Sequence, residues 1–518
     1  AQYHGPHGKR DNVRFIKGED RSVLGVGWDR VYITTLFSFE WPRISKAIDF
    51  ALEATRGRAN KIFVGGIAAS LMNERFANEH RWRGIRFISG LLDKPPAKAL
   101  QLDEFEEELY AEDIAGVPIE ELVPDYGILD QIPYKYPVRD AYFLYASRGC
   151  IRTCHFCGVP KLEGYQRDTQ SLTDIVREIA ARYGEKKDLV FMDNNVVASP
   201  RFKEIIAEIR DLGFVPGAKL RRPHERVPAQ RRVDFNQGVD ARILAKDPMF
   251  LRELSRICIA PLRIAFDHIG VRKVYEKSIR LAAENGLRDL SNYMLYNFMD
   301  DPRDLFERMR LNVALNEELD IRIFSFPMRY QPVNMIDRSH VGPKWTRFQL
   351  RSMQVILQAT HGIVSGAPEF FKQAFGDTHE QYEELLLRPH KMIFNRMWFE
   401  RGRGRGEFDE YRSVLGRLSA SERQELLAIL SGVLFDLPDR PRLPREQFAD
   451  YVEDFPSTTL RSVLRYYVPL TRADEEKIWV EQKTQQVVDF GVAEEELVED
   501  AGLGYSQDED TVFQRDVA

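Results

Sequence analysis

The chain of 518 residues is 43% hydrophobic and 30% charged, a balance that excludes a disordered or collagen-like polymer and is enough for more than one buried core. Its formal net charge of −6 excludes a wholesale binder of nucleic acid or anionic membrane, while leaving local basic patches open. No apolar run reaches the roughly 18–20 residues that span a bilayer, and the start AQYHGPHGKRDNVRF is too polar for a secretory signal, so a cytoplasmic location is expected.

In chain order, DRVYITTLFSFEW, a helical stretch near 43–55 and KIFVGGIAAS read as strand, helix and strand with a glycine turn. They predict a Rossmann-like domain over 21–135. Over 136–335 short β-branched and aromatic runs alternate with helical patterns, the mark of β/α units. Strands are predicted at YFLYA from 142, LVFMD from 189, VDFNQ from 233, LRIAF from 262, NYMLY from 292 and IRIFS from 321. Ser171 and Asp174 mark a helix start, and further helices fit 201–212, 247–257, 270–285 and 301–316. Such a series suits an open parallel sheet or a partial barrel, and either gathers functional groups at the carboxyl ends of its strands. After Pro332 the strands give way to amphipathic stretches such as RFQLRSMQVILQATHG and SERQELLAILSGVLF, so 336–518 is expected to be mostly helical.

Three of the four cysteines, Cys150, Cys154 and Cys157, fall within eight positions on the loop that follows the first of these strands. Clustered thiols in a reducing compartment point to metal or redox chemistry rather than a disulfide framework. A cubane held wholly by protein needs four thiolates, so three leave one iron open to a small molecule. The competing reading is a zinc site using the same thiols with His155 or Cys258, although paired C-x2-C or H-x3-H units are missing. Cys258 alone reads as a small buried hydrophobe.

The C-x3-C-x2-C spacing, with Phe156 before the last cysteine and a β/α series behind it, resembles the radical S-adenosylmethionine (radical SAM) family. The resemblance implies an α/β fold with a partial six-fold β/α barrel over 136–335. It implies a 4Fe–4S cluster on the three cysteines, with S-adenosylmethionine chelated at the open iron. The activity implied is reductive cleavage of that cofactor and hydrogen abstraction from substrate, with an electron donor such as flavodoxin or ferredoxin as partner. By position at the strand ends it assigns cofactor contacts to Phe156, Asp193, Asn194, Asn195, Gln237, Asp240, Arg242, Asp267 and Asn297, and substrate contacts to Arg329 and Tyr330. Members with auxiliary clusters carry several more cysteines than the single Cys258 here, so auxiliary-cluster chemistry is not expected.

The front domain resembles that of the cobalamin-binding subgroup, with IFVGGIAAS in the place of its glycine turn. The subgroup's D-x-H-x-x-G segment is missing and TTLFSFEWP stands there instead, which weakens the case for cobalamin and for the methyl transfer it implies. Two basic segments, KLRRPHERVPAQRR from 219 and RGRGRG from 401, suggest phosphate or nucleic-acid contact. They carry the rival reading, a non-enzymatic metal-bearing module that binds nucleic acid; solvated loops are the simpler account.

Overall fold

The computed structural model describes residue 5 and residues 10–92, 119–169, 171–223, 225–437, 439–478 and 480–481. The acidic segment EEELVED and His224 of the first basic segment lie outside the described residues. The chain divides into two compact units, one of 1–265, 273–293 and 330–340, the other of 266–272, 294–329 and 341–518. The division thus falls inside the β/α series.

The first unit opens with a parallel sheet of β1 (Val31–Thr35), β2 (Ile62–Gly66) and β3 (Arg86–Phe87), in that order. The helix Trp41–Ala54 buries Trp41, Ile44, Ile48 and Ala51, a stripe at three- and four-residue intervals, against this sheet. The predicted glycine turn has a steric cause. Gly66 sits at φ +97°, and a Cβ there would lie 2.3 Å from the Thr35 carbonyl oxygen. The Thr35 hydroxyl donates to the Gly65 carbonyl at 2.8 Å and accepts from the Ala69 amide at 2.9 Å, which locks the corner.

The β/α series follows as β4 (Ala141–Leu144), β5 (Ser147–Arg148), β6 (Arg167–Asp168), β7 (Asp188–Phe191), β8 (Lys219–Leu220), β9 (Ala229–Gln230), β10 (Val233–Phe235), β11 (Leu262–Arg263) and β12 (Asp289–Tyr296). Strands β4, β7 and β10 are parallel and ordered β10-β7-β4, and β11 pairs in parallel with β12. Single parallel bridges Val233–Ile259 and Val239–Ile264 join the two groups. The main strands therefore follow chain order without reversal, as in a singly wound arc rather than a doubly wound sheet.

Strand β11 is much shorter than LRIAF suggests, because beyond Arg263 the amides split between neighbours: Ile264 bonds to Ser291 and Ala265 to Val239. The buried Arg263 guanidinium grips Asp234 with two bonds of 2.7 Å. Helices Leu172–Tyr183 and Phe202–Asp211 pack their apolar stripes inward. Ser171 stands at the helix start as predicted but makes no side-chain cap; Glu208 of the next helix accepts the Leu172 amide at 2.8 Å instead.

In the second unit the end of β12 adjoins β13 (Arg322–Arg329). Helix Pro302–Leu319 carries Arg308, fully buried, which donates to the Phe266 and Leu295 carbonyls at 2.9 Å each. Beyond β13 the described residues form helices and isolated bridges. Arg347–Ala359 and Ala420–Val433 both start with capping boxes, Thr346 with Gln349 and Ser419 with Glu422. Phe348, Tyr411, Leu426, Phe448 and Tyr467 share their core. The segment RGRGRG is packed rather than extended. A Cβ on Gly404 would lie 2.6 Å from the Trp398 ring, and Arg405 is paired with Asp409 at 2.8 Å as a helix begins. Among the described residues no helix is long and apolar enough to cross a membrane.

Candidate metal centre on the cysteine loop

The loop that carries the thiols, residues 149–166, is closed at its base by the antiparallel pair β5–β6. Gly149 sits at φ +77°, and a Cβ there would lie 2.5 Å from the Tyr165 carbonyl oxygen, so the position before the first cysteine admits glycine alone. Cys150 donates its amide to Gly164 at 3.3 Å, which holds it to the end of the loop, and Cys157 donates to Cys154 at 3.0 Å, which sets those two in one turn. All three are half-buried, as is Phe156, and none is in a disulfide.

Buried carboxylates fix this loop from below. Asp193, fully buried at the end of β7, accepts from the Ala146 amide at 2.9 Å, the Ser147 amide at 2.5 Å and the Ser147 hydroxyl at 2.7 Å. Burial pushes its pKa up to about 6 in spite of those hydrogen bonds. The expectation that Asp193 accepts from a cofactor ammonium therefore needs correcting, because both oxygens already hold the start of the cysteine loop. Asn194 is likewise committed: it donates at 2.9 Å to Glu163, whose same oxygen accepts the Gly149 amide at 2.8 Å. The other Glu163 oxygen faces Arg148 at 3.4 Å, and Arg148 also pairs with Glu120.

Asp240 ties the third strand end to the loop. Its Oδ2 accepts from Arg152, between the first two cysteines, at 2.8 Å; its Oδ1 accepts the Arg242 side chain at 2.8 Å and amide at 2.9 Å. Burial acts to raise the Asp240 pKa, but these donors outweigh it and hold the group below its ordinary value. Arg242 Nε is thus already engaged with Asp240. Gln237 lies exposed in the turn before Gly238.

Asn195 differs from its neighbours. It is 2% exposed, its Oδ1 accepts the Asp240 amide at 3.2 Å, and its Nδ2 has no partner among the described residues. Gln166, at the end of the cysteine loop, donates to the Asn195 carbonyl at 3.2 Å and leaves its own Oε1 buried without a partner among the described residues. A buried donor and a buried acceptor left open at the base of the loop are what a polar cofactor head would satisfy. Sequence reasoning missed Gln166, Glu163, Arg148 and Arg152, whose contacts span 14 to 88 positions. Only the glycine before Cys150 carried a local signal.

The remaining assigned residues belong to other surroundings. In the second unit, Asp267 is half-buried just past the fourth strand. Asn297 is fully buried at φ +69° and accepts the Gly342 amide at 2.7 Å, a turn residue held from inside rather than a side chain open to adenine. Arg329 closes β13. Tyr330 belongs to the first unit, its ring edge-on to His340 at 5.2 Å.

The donor chemistry fits an iron–sulfur cluster in part. Three soft sulfur ligands share one loop, and backbone amides already reach two of them, Arg152 to Cys150 at 3.4 Å and Val159 to Cys157 at 3.5 Å. Such N–H···S bonds tune cluster potentials. Yet among the described residues no three His, Cys, Asp or Glu side chains converge on a metal-sized point, the three thiols included. Convergence is a change that metal binding itself brings to a site not fully formed beforehand. Cys258 is buried and its thiol is pushed up to about 11 by that burial, which removes it as a ready fourth ligand.

No family model matches the chain. A curated relative, the ribosomal protein uS12 methylthiotransferase RimO of Leptospira biflexa, is 25% identical over 183 residues, 33% of this chain and 37% of the relative. The chain thus spans little more than a third of that protein's length. Among solved structures, the radical S-adenosylmethionine methyltransferase TsrM from Kitasatospora setae, with cobalamin and a 4Fe–4S cluster bound, matches at 14% identity and a TM-score of 0.37. That match covers 59% of this chain and 66% of the other. The cobalamin-dependent S-adenosylmethionine radical enzyme OxsB matches at 12% identity and a TM-score of 0.41, over 95% of this chain and 76% of the other. Likenesses this distant carry no detail of a site. The sequence likeness to the curated relative is confined to about a third of either chain.

Proposed function

We propose that the chain is a radical SAM enzyme whose β/α series forms a partial barrel, with Cys150, Cys154 and Cys157 holding a 4Fe–4S cluster. When bound, that cluster supplies the electron that splits S-adenosylmethionine and so lets the resulting 5′-deoxyadenosyl radical take hydrogen from a substrate. The observation that supports the reading is the pinned cysteine loop, with three half-buried thiols on it and the buried Asn195 amide at its base. With the cofactor bound, Asn195 Nδ2 would be a donor for the carboxylate of its methionine part and Gln166 Oε1 an acceptor for its ammonium. Asp193, Glu163 and Asp240 act through the loop as positioning residues. An acidic one-electron carrier of the flavodoxin or ferredoxin class is the partner. Anaerobic reconstitution tests the proposal: about four irons per chain and release of 5′-deoxyadenosine under reductant are expected. A colourless protein holding one zinc would remove it.

A second reading, cobalamin-dependent methyl transfer, draws support from one contact. A Cβ on Gly158, directly after Cys157, would lie 3.3 Å from Leu71 at the end of the helix that follows β2, so the front sheet's carboxyl end packs on the cysteine loop. Leu36, Phe37 and Ile67 stand exposed at that same end, 55%, 50% and 38%, a face suited to the flat apolar flank of a corrinoid. Retention of hydroxocobalamin at one per chain is the test. The curated relative's sulfur chemistry is not proposed here, since Cys258 is the one further cysteine.

A further inference from the structure

The amino ends of β4 and β7, with the β8–β9 hairpin, bound a concavity at the end of the strands opposite the cysteine loop. A cavity of about 700 Å³ lies between Arg139 and Asp140 before β4, Tyr183–Lys186 before β7, and Leu220–Pro223 at the β8–β9 hairpin. It is a shallow hollow, largely open to solvent. Its acids are already spent. Asp140 takes two bonds from Arg222, at 2.7 and 2.9 Å, and Glu185 pairs with Arg231. Arg222 is held further by Glu225 at 3.1 Å. Arg139 and Arg221, by contrast, line the cavity exposed and meet no carboxylate or other acceptor among the described residues. Lys186 adds a third cation, its ammonium resting on the Tyr183 carbonyl at 3.0 Å.

We propose that this cavity is a binding site for a phosphate-bearing small molecule of nucleotide size. Two guanidiniums without partners, set in one concavity and backed by an ammonium, match the forked geometry that binds phosphate oxygens. Leu220 contributes a small apolar patch to its lining. The first basic segment is thereby divided: Arg222 and Arg231 build the cavity as ion pairs, and Arg221 is left for the ligand. A nucleic-acid strand would need a run of cations tracking successive phosphates, whereas the unpaired cations here converge on a single hollow. The site is independent of the cofactor reading above, since none of its residues touches the cysteine loop's supports.

The test is calorimetric titration of the full chain with ATP, with saturating S-adenosylmethionine present to cover any adenosine site. Inorganic phosphate serves as competitor and a single-stranded oligonucleotide as a second probe. One ATP per chain is expected, displaced by phosphate, and the double variant Arg139→Ala with Arg221→Ala is expected to weaken it roughly tenfold or more. Arg401→Ala, in the other arginine-rich segment, is expected to leave it unchanged. No ATP binding, or binding indifferent to the double variant, overturns the proposal. So does tighter binding of the oligonucleotide with a salt slope of several charges, which assigns the basic segment to nucleic acid. Because both arginines are exposed and unpaired, an unchanged melting temperature of the variant separates loss of the site from loss of the fold.

Discussion

The two ends of strands β4 and β7 are built on opposite rules. At the carboxyl end, buried carboxylates are bonded almost to saturation: Asp193 takes three donors, and one Glu163 oxygen takes two. At the amino end, the acids are neutralised by Arg222 and Arg231, and two arginines remain over. The first arrangement costs desolvation and in exchange fixes a loop in one conformation; the second leaves charge in water, ready for a counterion. Precision is thus concentrated where three thiols must be presented, and charge where nothing needs to be held in register.

Four experiments would break or sharpen this contrast. The largest effect is expected from Cys150→Ala, which should abolish cluster loading and 5′-deoxyadenosine release, read by iron content and product analysis. Next is Gly149→Ala. Its Cβ would collide with the Tyr165 carbonyl from a left-handed backbone, and a loss on the order of 3 kcal/mol or more in chemical denaturation is expected. Asp193→Asn probes the buried carboxylate by pH. Burial raises the folded-state pKa to about 6 from an ordinary 3.8, so the folded chain holds this proton more tightly than the unfolded one. Its contribution is fully present below the ordinary value and is lost as pH rises through about 6. Relative to the Asn variant, the native chain should gain about 3 kcal/mol as pH falls from 7 to below 4, measured by urea unfolding at each pH. Absence of that step would mean the carboxylate is not sealed. The smallest change is expected from Arg139→Ala with Arg221→Ala at the opposite end: stability within about 0.5 kcal/mol and unaltered iron content. A fall in cluster loading there would show that the two ends are coupled.

Much of this was legible in the chain itself. The alternation of β-branched runs with helical stripes located the strands, since burial on a sheet and on a helix imposes periods of two and 3.6 on any sequence. Starts fell within three residues of those observed, as with VDFNQ and β10 beginning together at Val233. Lengths were less secure, because LRIAF has five suitable residues and pairs over two. The cysteine spacing and its glycine likewise carried the candidate site. What the chain could not disclose was the use of each polar side chain: Asp193, Asn194 and Asn195 are alike in composition and adjacent, yet two are committed to the loop and one keeps an amide open.

Local patterning therefore determined the order of strands and helices, the thiol loop and the glycines that crowd it, all of which depend on neighbours a few positions away. Only the folded chain decided which charges are neutralised and which stand ready. Arg152 meets Asp240 and Arg222 meets Asp140 across more than eighty positions, and an electrostatic partner is fixed by distance in space and by the water that burial removes.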